Sequence, residues 1–455
     1  MNDQAQKQFI LTSNMWPVMW KLSWPAIIAM VLYGFNTLLD AVFVGAFIGE
    51  NALAGVSIAY PLASFVLGIG SLIGTGAGSL LSIALGANDI EKQQRLLGNF
   101  NSLNILCTVI YMILALIFAE PLVKMMGGSG EPLELGVTYF RISVFGAFFW
   151  IYGLASNMVV RAEGKMKKAA LVMGIGLIVN IIFNYVLIVV LDCGVAGASW
   201  ASNIGMLVYS ILGYLYFNSK KTSFLSLPNT FYWDKEIIKS IISMGLPSLI
   251  MMFMTIVQAV VIFNAIANHG SVFEVAFYGV AFRVLSFILT PIYGLMRALQ
   301  PVVGINYGGK KYNRVIQSFW IFSITGTLII LPLWGCMMIA PQFILATMLD
   351  AGSLSSDSIW NFRMFISILP VLPIVFNGMT FFSAINKGKP AAIIGLVRQL
   401  IFYVPLMLIL PSIYGTSSIY WGTALIDTII VTYTMILVLI EFKRLKSLKL
   451  ETNII

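Results

Sequence analysis

Apolar residues run through this chain in blocks too long for a soluble core. A helix needs about 20 consecutive, mostly apolar residues to cross a bilayer, and blocks of that length recur twelve times. Their approximate limits are 16–46, 53–85, 96–119, 134–160, 169–191, 194–218, 238–267, 274–307, 315–339, 358–385, 391–411 and 418–440. The long second and eighth imply tilt or extension beyond the hydrocarbon. A membrane β-barrel would instead alternate apolar and polar positions over segments of about ten residues. The pattern predicts an all-α integral membrane protein of twelve transmembrane helices.

Composition agrees. Of 455 residues, 59% are hydrophobic and 10% charged, against about 25% charged in an ordinary soluble domain. So few charges cannot cover a water-exposed surface, which excludes a soluble enzyme, a disordered or fibrous chain and a nucleic-acid binder. The formal charge of +9 is explained by placement. Both termini and the loops after spans 2, 4, 6, 8 and 10 fall on one side. That side holds Lys165, Lys167, Lys168, Lys310, Lys311, Arg314, Lys443, Arg444 and Lys446 among others. The opposite side holds only Lys124, and Arg141, Arg283, Arg297, Arg363 and Arg398 lie inside spans. An excess of Lys and Arg marks the cytoplasmic face, so both termini are expected there. The polar start of the chain does not read as a cleaved signal peptide. Three scattered cysteines and a single histidine, His269, offer no metal-binding or disulfide spacing.

Shifted by 222 residues, the chain meets itself. Pro25 falls on Pro247, Asn36 on Gln258 and Gly86 on Gly308. A shift of 221 places Gly194 and Trp200 on Gly415 and Trp421, and a shift of 224 places Gly164 and Lys165 on Gly388 and Lys389. Six spans followed by six in the same orientation make a parallel repeat. The expected architecture is two pseudo-symmetric six-helix lobes, residues 1–218 and 238–455, facing across a cleft and joined by a cytoplasmic linker at 219–237.

Ionisable residues inside a bilayer are costly and mark function by default. Of 18 acidic residues, only Asp40 in span 1 and Asp427 in span 12 fall within the apolar blocks. Asn36 lies one helical turn before Asp40, and Asn180 and Asn184 share a face of span 5 at similar depth. Asn157 in span 4 is a further candidate. A carboxylate among amide oxygens suits a dehydrated sodium ion at Asp40, Asn180 and Asn184. It also suits a proton on a desolvated acid, or plain hydrogen-bonded helix packing. For Asp427, Arg283 and Arg398 are candidate partners, in a structural salt bridge or in a coupling or substrate site. Gln258, Asn264 and Asn377 add possible polar contacts to the cleft. Gly68, Gly70, Gly74, Gly76 and Gly78 imitate a dinucleotide fingerprint without its strand and read as close helix packing. Pro25 is the candidate hinge, with Pro247, Pro291, Pro370 and Pro373 as further kinks. The 23 methionines would supply an adaptable surface where they face the cleft.

These residues resemble the multidrug and toxic compound extrusion (MATE) family through nearly the whole chain. Asp40-Ala-Val-Phe-Val-Gly45, then Gly49 and Asn51-Ala-Leu-Ala-Gly-Val, look like the family's opening signature, and Arg161-Ala-Glu-Gly164-Lys165 resembles the end of its fourth helix. The resemblance implies a prokaryotic efflux antiporter rather than an enzyme, monomeric, cofactor-free and multi-pass in a bacterial plasma (inner) membrane. By alternating access it would exchange cytoplasmic amphipathic organic cations, drugs or metabolites for external Na+ or H+. Asp40 and Asn180 match the family's lobe-one site, while Asn184 stands where many members carry aspartate. The family's helix-7 glutamate and helix-10 aspartate are absent. Asp427 resembles an aspartate of some bacterial members. The nearest rival is a lipid-linked or polyisoprenoid-linked flippase of the same superfold, which Arg283 and Arg398 would favour if they faced the cleft. A major-facilitator transporter would want an acidic-arginine loop after span 2, which this chain lacks.

Overall fold

The computed structural model describes residues 3–219, 221–225, 227–346 and 354–452, and the regular elements among them are all helices. Ten helices are long and apolar enough to cross a bilayer, and two bent pairs complete the twelve spans. Spans 1 to 6 are Met15–Phe47, Asn51–Ala87, Ile90–Ile117, Gly130–Phe145 with Ala147–Ala162, Met166–Val190 and Gly194–Asn218. Spans 7 to 12 are Lys235–Ile266, Phe273–Gly308, Tyr312–Ile339, Ser356–Val371 with Pro373–Ala384, Gly388–Tyr414 and Ser417–Leu448. The two lobes implied by the repeat are present, with spans 2 and 8 packed against one another and against spans 7 and 1 of the opposite lobe.

Side chains at the span ends explain where helices begin. Asp89 accepts from the Lys92 amide at the start of span 3, and Asp234 accepts from the Glu236 and Ile237 amides at span 7. Ser271 and Glu274 form a reciprocal capping box at span 8. Each satisfies amides that have no partner within the helix.

Two spans bend, for different reasons. Span 10 turns by 41° where Pro370 and Pro373 interrupt the backbone ladder. Span 4 turns by 56° at Gly146, without a proline. There Asn203 of span 6 fills the space a Cβ on Gly146 would occupy. Its amide donates to the Ile142 carbonyl at 2.7 Å, and its oxygen accepts from the Trp150 indole at 3.1 Å. A side chain inserted into the ladder is a sufficient cause of the kink. Pro25, by contrast, lies within the continuous helix Met15–Phe47. Spans 5 and 11, equivalent under the repeat, each contain a π-helical stretch, Tyr185–Val190 and Val397–Tyr403.

The lobes touch most closely on the side of the basic loops, and glycine makes the contact possible. A Cβ on Gly86 would overlap the Ile305 carbonyl, and one on Gly308 would overlap the Ile83 carbonyl, a reciprocal pair under the 222-residue shift. Gly76 meets the Ile241 backbone and Gly245 the Leu72 backbone in the same way. The glycines of span 2 therefore serve helix packing, as their spacing suggested. The N-terminal helix Asp3–Thr12 straps this side. Gln6 donates to the Gly164 carbonyl and Lys7 to Asn88 of lobe one. From lobe two, Arg314 donates to the carbonyls of Ile10 and Ser13, and Lys311 donates to that of Leu11.

Besides Asp427, two acids are buried, at span ends on this side. Glu163 contacts Lys165, the Tyr216 hydroxyl and the Ser223 amide. Glu441 contacts Lys387 and Arg444. Both lie just outside the apolar blocks, where a carboxylate can be enclosed by neighbouring loops without entering the membrane-spanning stretch.

Candidate functional site

Three polar constructions lie inside the helical bundle: one in each lobe, and a cavity between the lobes. In lobe one, Asp40 sits in the last third of span 1, with Asn36 one turn earlier. The Asn184 amide donates to Asp40 Oδ1 at 2.6 Å, and the Asn36 amide donates to Asn180 Oδ1 at 3.0 Å and lies 3.4 Å from Asp40 Oδ2. Asn180 donates onward to the Ser202 hydroxyl at 3.3 Å. Asn36, Asn180 and Asn184 are buried. Asn184 is the last α-helical residue before the π-helical stretch of span 5, and π-bulges in helices often mark functional sites. The Asn36 Oδ1 atom is buried with no hydrogen-bond donor. An acceptor left unpaired at such a depth is costly. On a side chain whose amide nitrogen faces Asp40, it is an oxygen of the kind a hard cation takes as ligand.

Asn157 does not join this cluster. Its amide donates to the Ala169 carbonyl at 2.8 Å, near the start of span 5, more than two turns from Asn180. Asn157 lies near the end of span 4, level with the start of span 5 and not with Asn180 and Asn184.

In lobe two, Arg398 and Asp427 pair at 2.8 Å. Arg398 comes from the π-helical stretch of span 11, and Asp427 is buried. Gln258 accepts from the Gln399 amide at 2.6 Å. This contact between spans 7 and 11 mirrors the Asn36–Asn180 contact between spans 1 and 5. These four residues line a cavity of about 260 Å³ with Tyr403 and Thr423. Three other expectations are corrected. Arg283 is exposed, too far round its helix to meet Asp427. Asn264 is exposed and donates to its own helix at Val260. Asn377 is wholly buried within lobe two, donating to Ser323, and does not line either cavity.

Between the lobes lies a cavity of about 440 Å³. Spans 1, 2, 4, 5 and 6 contribute from one lobe, and spans 7, 8 and 10 from the other. Its wall carries eight methionines, among them Met158 and Met296, and four tyrosines. Gln300 fixes part of the floor, donating to the Thr75 carbonyl and the Ser79 hydroxyl at 3.0 Å each. Two charged residues line it, Arg161 and Arg297, and sequence reasoning missed both as site residues. Arg161 was grouped with a basic loop because it lies at the end of its span. Arg297 was visible as an arginine inside span 8, and the absence of any acid one turn away on that helix was the available signal.

The chain matches the MatE family model twice, over residues 25–186 and 247–409. The matches begin at Pro25 and Pro247, the pair the internal repeat superposes. It is 26% identical to the multidrug export protein MepA of Staphylococcus saprophyticus, over 98% of each chain, and 25% identical to MepA of Staphylococcus aureus (strain MRSA252), over 97% of each. Among solved structures, a MATE in the bent conformation superposes with a TM-score of 0.90 at 22% identity, covering 98% of this chain and 99% of that one. The outward-facing conformation of a multidrug resistance MATE family transporter of the MOP superfamily superposes equally well, with a TM-score of 0.90 at 23% identity over 96% and 98%.

Proposed function

This chain belongs to the MATE family of multidrug efflux transporters, and from that premise we propose that it is an antiporter coupling export to Na+ or H+ uptake at Asp40. It is a multi-pass membrane transporter and not an enzyme. The observation that carries the coupling site is the buried, unpaired oxygen of Asn36, whose amide nitrogen faces the Asp40 carboxylate, with Asn180 and Asn184 holding both side chains in place.

In this reading, the basic loops and both termini are cytoplasmic. The glycine contacts then close the cytoplasmic side, and the structure corresponds to a state whose central cavity faces outward. External Na+ or H+ reaches Asp40 in that state. Because the ion neutralises a carboxylate held by spans 1 and 5, its affinity changes when those spans shift, which is the differential binding that coupling requires. Pro25, near the cytoplasmic end of span 1, is where that span would flex. The cargo is a small amphipathic organic molecule bound in the central cavity, whose methionine-rich wall adapts to different shapes. The working unit is the monomer. The flippase alternative is not favoured, since the curated relatives that match nearly the whole chain are multidrug export proteins.

The test is Asp40→Asn, assayed in proteoliposomes under a sodium gradient and, separately, under a pH gradient. Wild type should respond to one gradient, which names the ion, and the variant should lose at least nine-tenths of that response while retaining its thermal stability. A variant with full ion-driven transport would remove Asp40 from the mechanism.

A further inference from the structure

Arg161 and Arg297 reach the central cavity from opposite lobes, one at the end of span 4 and the other in the body of span 8. Arg161 Nη2 and Arg297 Nη1 are buried without a hydrogen-bond partner. No described aspartate or glutamate lines the cavity. Both arginines and the Tyr209 side chain line this one cavity. Three other cations enclosed by this fold face carboxylates: Arg398 faces Asp427, Lys165 faces Glu163 and Lys387 faces Glu441, while Arg314 and Arg363 donate to backbone carbonyls. At Arg161 Nη2 and Arg297 Nη1 neither a described carboxylate nor a carbonyl supplies the counter-charge, so it has to come from something that enters.

Desolvated cations facing one another without a counter-ion are costly. An anion placed between them removes that cost and gains charge-assisted hydrogen bonds from planar donors well suited to a carboxylate or sulfonate. A cation in the same place would add a third positive charge. We infer that the preferred cargo of this cleft is an amphipathic anion. Its carboxylate or sulfonate head is held between Arg161 and Arg297, and its apolar body lies against Met158, Met206, Met251 and Met296. This inference rests on the antiporter reading above and names its cargo class.

The test uses two probes with one fluorophore, dansylglycine as the anion and dansylcadaverine as the cation. Purified wild-type protein should bind dansylglycine roughly tenfold or more tightly than dansylcadaverine, since a hydrogen bond to a charged group contributes about that much. Arg297→Gln should weaken dansylglycine binding by a similar factor, and Arg297→Lys should keep most of it. The inference is overturned if dansylcadaverine binds as tightly, or if both Arg297 variants leave dansylglycine affinity unchanged. Should Arg297→Gln fail to fold, the wild-type comparison of the two probes decides alone. Proteoliposome efflux separates this failure from that of the antiporter. If an ion gradient drives dansylcadaverine and not dansylglycine, the cargo class is wrong and the coupling stands. If Asp40→Asn leaves ion-driven movement of the carried probe intact, the coupling is wrong.

Discussion

At the residue scale, the Asp40 carboxylate is surrounded by three asparagines and, among the described residues, forms no ion pair. Asp40 is therefore held by donors that orient it without neutralising it. Asn184→Ala removes the shortest of these bonds and one amide oxygen. It should raise the ion concentration needed for half-maximal transport by about tenfold, the scale expected for a hydrogen bond to a charged group. Ion-dependent efflux in proteoliposomes would read this out. Asp427 presents the opposite arrangement, because Arg398 already fills the place of a cation. Removing Arg398 alone, as Arg398→Met, should destabilise the protein by about 3–5 kcal/mol by leaving a buried charge unpaired. The double variant Arg398→Met/Asp427→Leu should recover most of that loss in a thermal unfolding assay in detergent. Recovered stability with abolished transport would instead give the pair a part in coupling. Asp40 and the face shared by Asn180 and Asn184 could be read from the chain because helical spacing fixes which side chains align. Asn157 misled because it sits near the end of span 4, at the depth of Ala169 and not of Asn180.

At the element scale, the unusual features are the breaks. Spans 5 and 11 turn π-helical beside Asn184 and around Arg398, so each lobe carries an irregular helix next to its polar site. The 41° bend of span 10 follows from prolines and was foreseeable. The 56° bend of span 4 depends on Asn203 arriving from span 6, which no local pattern in span 4 announces. Asn203→Leu should lower the melting temperature more than most surface changes, since it leaves the Ile142 carbonyl without its donor and crowds Gly146. The loop after span 4 also titrates. Burial pushes the Glu163 carboxyl above the usual glutamate range, against the opposing pull of Lys165. The folded chain thus holds this proton more readily than the unfolded chain does. Its contribution to stability is present at low pH and declines as pH rises from the ordinary glutamate value to the raised one. Glu163→Gln should flatten that part of the stability–pH profile measured by thermal unfolding.

At the scale of the whole molecule, two lobes of common origin meet through reciprocal glycine contacts and a strap formed by the N-terminal helix. Arg314 holds that strap with two backbone carbonyls. Arg314→Ala should favour opening of the basic-loop side. A cysteine placed at Ser79, which is fully buried beneath the central cavity, should then react several-fold faster with a water-soluble thiol reagent. The measurement needs a background in which Cys107, Cys193 and Cys336 have been replaced. The anionic cargo class also has an electrical consequence. Export of a monoanion against uptake of one Na+ or H+ moves two positive charges inward per cycle. An inside-negative potential favours that exchange by about 2.3 kcal/mol per charge per 100 mV. Imposing such a potential with potassium and valinomycin should accelerate dansylglycine efflux.

The sequence by itself determined the membrane-spanning fold, the twelve spans, their duplication and the lobe-one acid. Each of these rests on local hydrophobicity or on spacing along one helix, and a bilayer leaves few alternatives to a helix. Only the tertiary structure decided which partner each buried charge meets. Arg283 and Arg398 were equal candidates for Asp427 until packing turned one outward and the other inward. Arg161 and Arg297 lie far apart in the chain, and nothing local says that their side chains share one cavity. Which charges come together depends on how helices rotate and bend against each other, and that is settled by packing among all of them at once.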